Sequence, residues 1–281
     1  MEEEKGKIMF HVIIDSAIDL PEGVTFDDFS VVPLYVKIGD QYFKDVVDIS
    51  RDEFFKILPN EYDHISTSQP NAEDFVAAIE SSRYQDVLIM TMSSKFSGTH
   101  SSALSAAKET SKNVVVFDTW NLSMGAGVLA MTALRMREEQ LPMEDVVNRL
   151  YDLRQRTRFW AVIATLKNLM RTGRISRFTG LVGEILRVKP VVELKEGYIV
   201  PMRNERGNPF NILQKLVEEA EKHADRSYPF IIGYTDYVPE IEQLVKDHNA
   251  LLARGNPIVG AYTGNNTFAV AFVEKEGGPQ G

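Results

Sequence analysis

The feature that most constrains this chain is Val87-Leu88-Ile89-Met90, an unbroken apolar run followed at once by Thr91-Met92-Ser93-Ser94-Lys95-Phe96-Ser97-Gly98-Thr99 and then by an Ala-rich segment at 102–108. A run without polar alternation reads as a strand buried on both faces, the habit of parallel sheets covered by helices. The Ala-rich segment reads as a helix. Strand, loop and helix in that order put small hydroxyls and free backbone N–H groups at the carboxyl edge of a sheet, where ligands with a negative end are held. The partner stretch is Thr67-Ser68-Gln69-Pro70. It precedes a helix begun by Asn71 and Asp74, close to a capping box, with Phe75, Ala78 and Ile79 on one face. Thr67 and Ser68 are therefore expected in a loop, leaving the same sheet edge as the 93–99 loop.

The alternation runs through the first half of the chain. Residues 8–14, ending in Asp15-Ser16, and 31–38 read as strands, and a short helix through Phe54, Phe55 and Leu58 is expected to stop at Pro59. Another buried strand at 114–117 leads into an apolar helix ending near Met136. Pro142 then starts a helix with Val146, Val147, Leu150 and Leu153 on one face. Beyond Trp160 the pattern changes. A hairpin turns at Lys195-Glu196-Gly197, helices are expected at about 210–223 and 238–253, and strands at 230–234, 258–262 and 267–273. The fold class expected is α/β in two domains: residues 1–160, a parallel sheet flanked by helices that carries the Thr67 and Ser97 loops, and residues 161–281, an α+β domain with a mixed or antiparallel sheet.

Composition removes several function classes. A net charge of -9 opposes general attraction to nucleic acid, and no cysteine is present for disulfides, thiolate metal sites or thiol nucleophiles. The five histidines show no metal spacing, and no cofactor is expected. No apolar run approaches the roughly 20 residues that span a bilayer, and residues 1–7 are too acidic and polar for a secretory signal. A cytoplasmic protein is the expectation.

Gly125-Ala126-Gly127-Val128-Leu129-Ala130 formally fits a dinucleotide fingerprint but lies well past the end of its strand, so close helix packing is the better account of its glycines. Ser97 as a nucleophile needs a base, and neither His64 nor His100 stands at a spacing that predicts a triad. Joint hydrogen bonding of a carboxylate by the two hydroxyl-rich stretches fits better. Arg174, Arg203 and Arg206 are candidates for pairing with phosphate or carboxylate, against the plain reading of solvated surface arginines.

Together these residues resemble the DegV family, the bacterial fatty-acid-binding proteins that serve as lipid-carrying partners of fatty acid kinase. The resemblance rests on Ile14-Asp15-Ser16, Thr67-Ser68-Gln69-Pro70, Ser93 through Thr99, Gly173-Arg174-Ile175-Ser176, Lys189-Pro190 with Gly197, and Arg203 with Arg206, and it spans nearly the whole chain. It implies a long-chain fatty acid buried in the cleft between the domains. Thr67 and Ser97 match the positions that hold its carboxylate, with Ser68, Ser94 and Tyr262 as neighbours. Leu181, Val182, Ile185 and Leu186 are candidates for the acyl-chain wall. Arg203 and Arg206 match the arginine pair at the headgroup and kinase-facing end, and Arg174 matches the family's Gly-Arg motif. By the same resemblance the partner is the catalytic subunit of a fatty acid kinase, which forms acyl phosphate for phospholipid synthesis, and contact with the membrane is transient.

One departure stands out. Where the family usually carries Gly-x-His-x-Gly-Pro-Gly, this chain has Gly260-Ala261-Tyr262-Thr263-Gly264-Asn265-Asn266. A phenol donates one hydrogen bond but never becomes a cation. Three classes of function stay open on these residues: a lipid carrier, a Ser-dependent hydrolase, and a small-ligand sensor using the same cleft.

Overall fold

The computed structural model describes residues 10–27, 29–175 and 188–277. The chain opens with β1 (His11–Asp15) and β2 (Phe29–Val32), then β3 (Tyr35–Ile38) and β4 (Gln41–Lys44), α1 (Arg51–Glu61), a 3-10 turn (Tyr62–His64) and β5 (Ile65–Ser68). It continues with α2 (Ala72–Ser81), β6 (Asp86–Thr91), α3 (Thr99–Ala106), β7 (Asn113–Asp118), α4 (Ser123–Glu138) and α5 (Met143–Arg156). Strands β1, β2, β6 and β7 form one parallel sheet in the order β2-β1-β6-β7. Its centre is β6, buried at every residue from Val87 to Thr91, which is why the sequence shows an apolar run there.

Three details of the first half differ from the sequence expectation. The strand expected at 31–38 is broken at Pro33-Leu34. Proline has no N–H to continue the ladder, and β3 leaves to pair with β4 and β5 in a separate antiparallel sheet, order β4-β3-β5. Thr67 and Ser68 therefore lie on β5, opposite Val36 and Tyr35, and not in a loop at the edge of the parallel sheet. Helix α1 also runs past Pro59 to Glu61. Phe54, Phe55 and Leu58 anchor it in the core, which offsets the one ladder bond that Pro59 cannot make.

The second half adds β8 (Thr157–Val162), α6 (Lys167–Arg171), β9 (Val188–Lys195), β10 (Tyr198–Arg206), α7 (Pro209–His223), β11 (Ile231–Tyr234), α8 (Glu240–Asp247), β12 (Leu251–Arg254), α9 (Pro257–Thr263) and β13 (Phe268–Val273). Its sheet runs β10-β9-β8-β13-β11-β12, antiparallel except where β11 and β12 pair in parallel, so the expected mixed sheet is present. The helix expected at 238–253 ends at Asp247. Asn249 takes a left-handed conformation (φ 45), and the chain re-enters the sheet as β12. The strand expected at 258–262 is α9. Asn256 caps it, accepting from Val259 N at 2.9 Å, and Pro257 occupies its first position, signals that outrank an apolar run.

Helix α4 joins the halves. It is buried almost throughout and packs on β8, β11 and β13 as well as on α5. A side chain at Gly127 would meet the backbone carbonyl of Asp19, and one at Gly125 would meet Asn121 and Phe159. Close packing accounts for both glycines, as expected.

Candidate functional site

The order β2-β1-β6-β7 reverses direction between β1 and β6, the place where open α/β sheets form a crevice at their strands' carboxyl ends. Beside that crevice lies a cavity of about 660 Å³, within the usual range for small-molecule sites. Met92 and Phe96, which follow β6, line it from the first half of the chain. Phe159 on β8, Val192 and Leu194 on β9 and Ile199 on β10 line it from the second. These walls are apolar.

The hydroxyls gather where β5, α9 and the 93–98 loop meet: Thr67, Ser68, Ser94, Ser97 and Tyr262 all line the cavity. Tyr262 Oη lies 2.7 Å from Thr67 Oγ1, although the two residues stand 195 positions apart. Ser97 Oγ lies 2.8 Å from Thr99 Oγ1 and accepts from Thr99 N at 3.3 Å, at the start of α3. Gly98, the residue before that helix, offers no side-chain cap, and of the first turn's N–H groups Thr99 donates to Ser97 Oγ and Ser102 to the Gly98 carbonyl. Gln69, just after β5, donates to Ser102 Oγ on α3 at 3.1 Å, and any side chain at Gly98 would displace its amide.

The second sheet grips the same loop through its hairpin. Glu196 and Gly197 both have positive φ (52 and 83), the geometry of a tight two-residue turn, and the Gly197 carbonyl accepts from Ser93 Oγ at 2.8 Å. A Cβ at Gly197 would lie 2.8 Å from that oxygen, so glycine is required there for both its φ and its closeness.

Behind the hydroxyls is a set of buried acids. Asp15, at the end of β1, accepts from Met92 N at 2.6 Å and Ala17 N at 2.9 Å, and burial pushes its carboxyl up to about 7. Asp45 is fully buried, and burial pushes it too up to about 7, against the opposing pull of the Ser16 hydroxyl and the Val46 N–H. Asp19 is fully buried and well bonded: Ser123 Oγ donates at 2.7 Å, Asn256 Nδ2 at 2.9 Å and Arg51 Nη2 at 2.9 Å. Sequence reading noted Asp15 but missed Asp19, Asp45 and Asn256. Only the Asn256-Pro257 pair carried a local signal.

Of the three arginines, Arg174 lines the cavity and is exposed, donating to the Thr172 carbonyl at 2.6 Å. Arg203 does not line it. Its guanidinium is taken by Glu219 at 2.6 Å and Glu205 at 3.0 Å. Arg206, at the end of β10, is exposed and also away from the lining. Leu181, Val182, Ile185 and Leu186, named for the acyl-chain wall, lie outside the described residues, as does Ser176. The His100 ring faces Thr91 Oγ1 at 3.0 Å and not Ser97, and burial holds its imidazole below the usual range. Among the described residues no cluster fit to hold a metal ion is found, and no helix is long and apolar enough to cross a membrane.

A family profile described as "Uncharacterised protein, DegV family" matches residues 9–275. The chain belongs to the DegV family. A DegV domain-containing protein of Clostridium acetobutylicum is 30% identical over 274 residues, covering 94% of this chain and 98% of that one. A solved DegV structure from Thermus thermophilus, described as fatty acid binding, superposes with a TM-score of 0.81 at 29% identity over 94% of this chain and 99% of that one. The DegV protein of Bacillus subtilis, described as a fatty acid binding protein, shares the fold at 22% identity and a TM-score of 0.79, over 95% and 100% of the two chains. In this DegV chain Tyr262 projects from α9, and its phenol is the group that meets Thr67.

Proposed function

We propose that this protein binds a long-chain fatty acid in the cavity, with the carboxylate at Thr67 and Ser97 and the tail along the apolar walls. The observation that carries the reading is the cavity itself: apolar surfaces from both halves of the chain with a hydroxyl cluster at one side. Each methylene buried contributes about 0.8 kcal/mol, so a long tail binds tightly with few polar contacts, and a chain of net charge -9 can carry an anionic lipid. The fatty acid binding described for the Thermus thermophilus relative supports the same reading.

The finer assignment is that of a cytoplasmic carrier, without catalysis of its own. It presents the fatty acid to a fatty acid kinase for acyl phosphate formation and phospholipid synthesis, takes up its cargo in transient contact with the membrane, and binds no nucleic acid. The division into 1–160 and 161–281, with the cleft between, belongs to this proposal. Ser68, Ser94 and Tyr262 are assigned to the carboxylate end, and Arg174 to its mouth. Arg203 and Arg206 are assigned to the kinase-facing surface only, because Arg203 is occupied by Glu219 and neither residue lines the cavity. With a phenol where the family has an imidazole, coupling to the kinase differs from the usual one or is absent. The hydrolase alternative lacks a base on Ser97.

The test is to purify the protein under native conditions, extract it with organic solvent and identify stoichiometric small molecules by mass spectrometry. One near-equimolar fatty acid is expected. A compact polar metabolite in its place overturns the carrier reading in favour of the sensor.

A further inference from the structure

Asp19 is an acid buried behind the cavity, and its side-chain contacts reach three different elements. Its backbone N–H donates to the Ser123 carbonyl at 3.2 Å, and a side chain at Gly127 would strike its carbonyl, so α4 fixes its main chain. The carboxylate then accepts from Ser123 on α4, from Arg51 on α1 and from Asn256 at the start of α9. Arg51 also donates to the Arg254 carbonyl, two residues before Asn256.

Asn256 uses both ends of its amide. The nitrogen donates to Asp19 and the oxygen caps α9 at Val259 N. Helix α9 has only seven residues, too short to be stable or oriented on its own. Hydrogen bonds tie it at its start, through this link, and near its end, where Asn168 Nδ2 donates to the Ala261 carbonyl at 2.8 Å, and between them Gly260 packs closely on Phe54 and Phe55 of α1. The phenol oxygen of Tyr262 sits at the tip of a long side chain on this helix, 2.7 Å from Thr67 Oγ1. A tilt about the Asn168 tie that displaces the start of α9 displaces that tip by a comparable distance, because the tie is at Ala261, next to Tyr262.

We propose that Asp19 is a positioning residue for the carboxylate end of the cavity: through Asn256 it sets the angle of α9 and so brings the Tyr262 phenol onto Thr67. The ligand class named here rests on the fatty-acid reading above; the placement of Tyr262 does not. Asp19 itself touches no ligand. Its effect is chiefly on headgroup recognition: α9 adds Ile258 and Val259 to the lining, but the apolar walls on β8, β9 and β10 are built elsewhere.

Two variants separate the link from general stability. Asn256→Ser keeps a good helix cap but removes the amide that reaches Asp19. Asp19→Asn combined with Asn256→Asp exchanges the pair and retains a donor facing an acceptor. With delipidated protein, hexadecanoate and hexadecan-1-ol are titrated as probes of equal tail and different headgroup. Asn256→Ser is expected to weaken hexadecanoate about tenfold and the alcohol less than about threefold, with the exchanged pair returning near wild type. Equal weakening of both probes overturns the proposal, as does an unchanged ratio between them. Crystal structures of the same variants without ligand give a second readout, independent of what the cavity binds. The Thr67–Tyr262 contact should open beyond about 3 Å in Asn256→Ser and close again in the exchanged pair. A contact retained in Asn256→Ser overturns the role of Asp19 whatever wild type binds, whereas wild type failing to bind either probe while the contact opens tells against the fatty-acid reading alone.

Discussion

Two groups of polar residues sit back to back at the cavity, and they are built on opposite terms. In front, Thr67, Ser68, Ser94, Ser97 and Tyr262 are neutral hydroxyls that line the space a ligand would occupy. Behind them, Asp15, Asp19 and Asp45 are carboxyls with no exposed surface. The groups that face the ligand cost little to leave unfilled, because hydroxyls pair with one another, as Thr67 and Tyr262 do. The buried acids are expensive to ionise and organise the framework. An anionic cargo is thus separated from the buried carboxyls by a layer of neutral donors, with Lys95 and Arg174 also lining the cavity.

The largest expected effect tests the rear group. Burial raises Asp15 and Asp45 from an ordinary 3.8 to about 7. Over that range the folded state holds protons that the unfolded chain has released. The stabilising contribution is therefore complete near pH 4 and is lost as pH rises to about 7, worth roughly 4 kcal/mol per carboxyl over the full window. Urea unfolding between pH 5 and pH 8 should show stability falling with pH, and Asp45→Asn should flatten about half of that fall. Its hexadecanoate affinity should stay at the wild-type value. A stability that is level or rising across this range breaks the contrast between the two groups.

The front group responds in the opposite sense, through affinity and not through stability. Thr67→Ala and Ser97→Ala should each weaken hexadecanoate by about 1 to 3 kcal/mol, the cost of an unmade buried hydrogen bond to a carboxylate. Both residues are only partly buried without ligand, so unfolding midpoints should barely move. Titration of the delipidated variants, with thermal unfolding alongside, checks both halves. Loss of stability without loss of affinity would assign these hydroxyls to the framework.

This division also explains what could be read from sequence. Strands β1 and β6 and the capping box of α2 are local patterns, and the box is present, with Asn71 Oδ1 accepting from Asp74 N at 2.8 Å and Asp74 Oδ2 accepting from Asn71 N at 3.1 Å. Thr67 and Ser97 stood out because hydroxyls cluster around them in the chain. Their settings did not. β5 is four residues long and mostly polar, so nothing in Ile65–Ser68 announces a strand until β3 is beside it. The bond between Asp19 and Asn256 crosses 237 positions, and no periodicity reports a contact of that separation. Only Asn256-Pro257 was legible, and the apolar run after it suggested a strand instead.

The smallest expected effect concerns Arg203, which resemblance assigns to the headgroup end and geometry assigns to Glu219. The pair is partly exposed, with side chains 32% and 36% accessible, and Glu205 lies on the same guanidinium. Such pairs contribute about 1 kcal/mol or less, so Arg203→Ala should shift unfolding slightly and leave hexadecanoate affinity within about twofold. The same substitution then sharpens the comparison of regions. If affinity falls by tenfold or more, a cation reaches the carboxylate when ligand is bound, and the neutral front layer is a feature of the empty cavity alone. If affinity holds while turnover by a fatty acid kinase drops, Arg203 belongs to the outer surface and the carboxylate is recognised without it.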